Sequence, residues 1–118
     1  MKHILNCGLL GTNGAASYAF QAPFGCVVTD AYVTAQNSDI GDADTVTIKK
    51  STTTVGVATF GSTIAAFAKA TYVPDSTSGN TAYAAGDNIL VDVSALDAAG
   101  DRVNVTLVLD PYAIGQAL

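Results

Sequence analysis

The chain has 118 residues and is 49% hydrophobic, enough apolar surface for one core and too little length for two. Ten acidic residues against five scattered basic ones give a net charge of −5 and leave no positive stripe for phosphates, so nucleic-acid binding is excluded. No run approaches the roughly 18 apolar residues of a membrane span, and every acid is Asp, a poor helix former, which points to strands and turns.

Residues 1–16 read as an N-terminal arm, because Gly8, Gly11, Asn13 and Gly14 interrupt every period. From Ser17 the pattern changes: Tyr18, Phe20 and Ala22 alternate with Ala19 and Gln21, and Pro23 and Gly25 then punctuate before a second run. That run, Cys26 to Ala35, places Val27, Thr29, Ala31, Val33 and Ala35 on one face, the better core candidate. A polar loop over 36–44 leads to Thr45–Lys50, with Val46 and Ile48 inward and Thr47 and Lys49 outward. Ser51 to Thr53 reads as a short turn into an alternating run through Val55, Val57 and Thr59, completing a hairpin.

Residues 63–73 fit helix and strand spacing alike and are read as strand, and Pro74 to Thr81 as a loop. Ala85-Gly86-Asp87 turns the chain into Asn88–Ser94, with Ile89, Val91 and Val93 inward. The last strand, Arg102 to Leu109, buries Val103, Val105, Leu107 and Leu109 and stops at Asp110-Pro111. Seven or eight short strands with regular turn signals predict an all-β chain, a single antiparallel β-sandwich of jelly-roll or immunoglobulin-like topology over 17–111, followed by a tail at 112–118.

Chemistry is sparse. His3 is the sole histidine and lies in the expected arm, so a Ser-His-Asp or Cys-His relay has no fixed base. Cys7, Cys26 and His3 are too few and too scattered for zinc, and the two cysteines are read as free, partly buried thiols. Asp39, Asp42 and Asp44 form the densest acidic patch, but their spacing matches no calcium loop and Asp commonly nucleates loops. The reading is therefore a non-enzyme with no catalytic, cofactor-binding or metal-ligating set.

Phe20-Gln21-Ala22-Pro23-Phe24-Gly25, Val28-Thr29-Asp30-Ala31-Tyr32-Val33 and Thr45-Val46-Thr47-Ile48-Lys49-Lys50 resemble the first sheet of small β-sandwich head decoration, or cement, proteins of tailed bacteriophages. The resemblance continues through Ala84-Ala85-Gly86-Asp87-Asn88-Ile89-Leu90-Val91-Asp92-Val93 and Val103-Asn104-Val105-Thr106-Leu107-Val108-Leu109. Where such proteins often carry Asn-Gly after the lysine strand, this chain has Ser51-Thr52-Thr53, which disfavours a two-residue type I′ turn.

The resemblance implies a homotrimer on the outside of a virion, made in the host cytoplasm and clamping neighbouring major capsid protein subunits. Candidate interface residues are Leu9, Leu10, Tyr112, Ile114 and Leu118, which all sit in terminal segments read as unanchored. The rival reading is a carbohydrate-binding or adhesin module of a tail fibre, in which Tyr72 or Tyr83 stacks on sugar rings.

Overall fold

Runs of Val, Ile and Thr suit the pleated, half-buried surface of a sheet, and in the computed structural model they form nine strands. The structure describes residues 2–11, 15–36, 44–61, 67–75, 82–94 and 102–111. The strands are β1 (His3–Leu10), β2 (Ala16–Gln21), β3 (Cys26–Ala35), β4 (Thr45–Lys50), β5 (Thr53–Thr59), β6 (Thr71–Pro74), β7 (Ala82–Tyr83), β8 (Asn88–Val93) and β9 (Val103–Pro111). They make a four-stranded sheet ordered β1-β9-β3-β7 and a five-stranded sheet ordered β2-β8-β4-β5-β6, in which every pairing is antiparallel.

The order has a simple origin. β1 pairs β9, β2 pairs β8, β3 pairs β7 and β4 pairs β5, so the chain is one long hairpin whose arms close in nested pairs. Wrapping that hairpin adds the β3–β9 and β4–β8 ladders and leaves successive pairs in opposite sheets. This is jelly-roll wiring, with β6 as an added edge strand.

The inner faces meet in a Val- and Ile-rich core. Val33, Val103, Val105 and Leu107 of one sheet and Val46, Ile48, Ile89 and Val91 of the other are almost wholly buried, each worth roughly 1.5–3 kcal/mol in transfer terms. Tyr83 reaches across the core and donates its hydroxyl to the Lys49 carbonyl at 2.9 Å. Residues 67–75 close one side by changing sheets. Phe67 and Ala70 donate backbone N–H groups to Ala35 and Val33 at 2.9 Å, and Thr71–Pro74 then crosses to pair with β5.

The segment expected to be a free arm is instead β1, hydrogen-bonded along β9 from His3 to Leu10. Gly8 serves a β-bulge there: it takes φ 78° and donates its N–H to Asn6 Oδ1 at 3.0 Å while the register shifts across Cys7. In β3 the expected core face holds only from Ala31 onward. Thr29 is the extra residue of a second bulge, so Cys26 and Val28 point inward before it, and Ala31, Val33 and Ala35 after it.

The β4–β5 turn is one residue shorter than the Ser51–Thr53 reading, because Thr53 already pairs with Lys50. Ser51 alone of the two loop residues has positive φ, 55°, which fits type II′ rather than type I′. Asp110-Pro111 does not stop the last strand: Pro111 still faces Cys26 at the end of β9. Of the strand expected over 63–73, residues 63–66 lie outside the described residues and β6 begins at Thr71. The two-residue β7 falls between the expected loop over 74–81 and the expected turn at Ala85-Gly86-Asp87, where no strand is expected, and is held by β3.

Candidate functional site

Alternation that buries one side of β1, β9 and β3 presents the other to solvent. Cross-strand rows on this outer face are Ile4–Val108–Asp30, Asn6–Thr106–Tyr32 and Leu9–Asn104–Thr34. Ile4 is 64% exposed, Leu9 58% and Tyr32 59%; Asn6, Asn104, Thr106 and Thr34 lie among them, the Ile4 row ends on Asp30, and the Lys2–Asp110 ion pair flanks the Ile4 end. The β1 bulge decides this display: were Cys7 paired in regular register instead of bulged, strict alternation would turn Leu9 inward and Leu10 outward.

Among the sequence-derived interface candidates, then, Leu9 lies on an exposed face. Leu10 is only 6% exposed and belongs to the core, so it is withdrawn as an interface residue. Tyr112, Ile114 and Leu118 lie outside the described residues. Ile4 and Tyr32, which sequence reasoning missed, share the face with Leu9. Tyr32 was legible as an outward residue of β3, whereas Ile4 lay in the segment expected to be an arm, where no face was assigned.

At the β3 edge of the same face, Thr34 is bridged directly to Lys69. Tyr32, Val33, Thr34, Lys69 and Ala70 line a depression of about 300 Å³. A depression of similar volume at one end of the other sheet is lined by Lys50, Ser51, Asp87, Asn88 and Leu90.

The tyrosines offered to sugars do not serve. Tyr83 is fully buried, and Tyr72 turns inward over Gly56, where an added Cβ would collide with the phenol ring. Tyr72 Oη is buried without a hydrogen-bond partner, and burial foremost, with the Asp30 charge second, pushes its pKa up to about 12.

On the outer face of the five-stranded sheet Ser17 on β2 lies opposite Asp92 on β8, and Lys49 on β4, opposite Leu90, is the diagonal neighbour of Asp92. Ser17 donates its hydroxyl to Asp92 Oδ1, and Lys49 Nζ lies 2.9 Å from Oδ2. The Ser17 hydrogen bond, aided by Lys49, holds the Asp92 carboxyl below its ordinary range. A carboxylate so stabilised is a poor base toward the serine, and the row acts as a cross-strand ladder.

His3 packs edge-to-face on Phe24, with ring centroids 4.8 Å apart. Cys7 and Cys26 are free and buried on strands separated by β9; burial pushes the Cys7 thiol up to about 11 and raises Cys26 too, disfavouring thiolate chemistry. Of the acidic patch, Asp39 and Asp42 lie outside the described residues, while Asp44 is buried and its carbonyl accepts the Phe60 N–H at 3.0 Å. The chain matches no family model, no curated protein and no solved structure.

Proposed function

We propose that this chain is a bacteriophage head decoration protein that docks on the capsid through the outer face of β1 and β9. The observation that carries the reading is the exposed pair Ile4 and Leu9 on a strand anchored by a full ladder to β9, flanked by uncharged Asn6, Asn104 and Thr106. Such a face is rigid before binding, so little ordering entropy opposes docking, and removing Asn and Thr from water costs less than removing charges. Jelly rolls recur in viral capsids and in lectins, which supports the reading by analogy of fold alone. In this proposal the partner is the major capsid protein, and a homotrimer repeats the patch so that several weak contacts act together.

Cosedimentation with undecorated capsids, after the solution mass is measured by light scattering, tests it. Saturable binding that is lost in Ile4→Asp/Leu9→Asp, with an unchanged melting temperature, is the expected result. No binding by the unaltered protein, or equal binding by the double variant, overturns it.

A further inference from the structure

We infer that Tyr32, Thr34 and Lys69 form a binding site for an acidic sugar, one hexuronate ring stacked on Tyr32 with its carboxylate on the Lys69 ammonium. The site is independent of the capsid proposal. Lys69 lies three strand spacings from β1, roughly 14 Å across the sheet, while Tyr32 and Thr34 sit on β3, two spacings from β1 on the same outer face as Ile4 and Leu9.

Charge argues first. Lys2 pairs with Asp110 and Lys49 with Asp92, and Lys50 and Arg102 are also engaged. Among the described residues, Lys69 is the basic side chain with no ion pair or hydrogen bond, although it is exposed in a chain of net charge −5. An unneutralised cation on an acidic protein, beside a concavity, favours an anionic ligand.

Geometry argues second. Thr34 and Lys69 face each other across the bridge, which puts their Cβ atoms about 5 Å apart, and Tyr32 is the diagonal neighbour of Lys69 at roughly 7–8 Å. All three side chains therefore project from the outer face around one depression of about 300 Å³, the lower end of the range of roughly 300–1,000 Å³ for small-molecule sites. That volume suits one ring rather than a chain. Tyr32 exposes an aromatic surface for the apolar face of the ring, Thr34 supplies a hydroxyl for a ring hydroxyl, and Lys69 supplies the counter-charge.

The nearby Asp30 carboxylate is turned back on its own strand, where Oδ1 accepts the Ala31 N–H at 2.8 Å. At the same edge Phe67 is 67% exposed and holds φ 63°, a left-handed conformation that is an outlier for a bulky side chain. Strain of this kind persists where the surroundings enforce it and clusters at ligand sites. Here it presents a second exposed aromatic two residues before Lys69.

Saturation-transfer NMR with methyl β-glucuronide and methyl β-glucoside as probes tests the inference. The expected result is transfer to the glucuronide ring protons, weakened at least about tenfold in affinity for the glucoside, in Lys69→Gln and in Tyr32→Ala. Lys69→Arg should restore it, and every variant should keep the parent melting temperature because both side chains are exposed. Absence of transfer to glucuronide, equal affinity for the two probes, or retention of binding in Tyr32→Ala overturns it.

Discussion

β8 and β3 are both interior strands flanked by two partners, yet one obeys strict alternation and the other breaks it. β8 buries Ile89, Val91 and Val93 and turns Asn88, Leu90 and Asp92 outward without interruption. β3 buries Cys26 and Val28, spends Thr29 on a bulge and resumes with Ala31, Val33 and Ala35. Because side chains alternate with period two, one unpaired residue exchanges the faces of everything beyond it. A strand's hydrophobic pattern therefore reports its faces only between bulges.

Deletions separate the two strands most sharply. Removing Leu90 from β8 forces either Ile89 or Val91 out of the core, and the variant is expected to lose its cooperative unfolding transition by circular dichroism. Removing Thr29 instead leaves Val28 opposite Leu109 and Asp30 opposite Val108 in continuous alternation. That variant should fold, with a loss of no more than about 1 kcal/mol in urea titration. A folded Leu90 deletion, or an unfolded Thr29 deletion, breaks the comparison.

Next in size is Gly56, which lies opposite inward Ile48 and under the Tyr72 ring. Gly56→Ala should destabilise by about 1–3 kcal/mol, since the Cβ forces the ring from its place. Tyr72→Phe has the opposite sign: it removes a buried hydroxyl without a partner and should leave stability unchanged or raise it by up to about 1 kcal/mol. A large loss in Tyr72→Phe would show that the hydroxyl is paired in solution.

The smallest effect concerns acid. Asp92 has a folded pKa below its ordinary 3.8, so its pairing with Ser17 and Lys49 contributes in full above that value and is lost as pH falls through the lower folded one. Melting temperatures followed from about pH 5 to 2 should fall less steeply in Asp92→Asn than in the parent.

Val46 and Ile48, the odd positions of β8 and Val103 through Leu109 of β9 were legible because their runs are unbroken, and the β-sandwich followed from them. The candidate site was not. Leu9 and Leu10 are adjacent and chemically identical; alternation sends them to opposite faces, and the bulge at Cys7 decides which one meets solvent. Likewise Tyr32 and Lys69 lie 37 positions apart in the chain and meet because residues 67–70 extend the β3 edge.

Local composition and periodicity determined that this chain is all β and which strands hold the middle of the core, since apolar burial depends on pattern within a strand. Strand order, the register shifts at Cys7, Thr29 and Val55, and the face carried by β1 were decided by tertiary structure. Each depends on pairing with strands far away in sequence, and no local run encodes its partner.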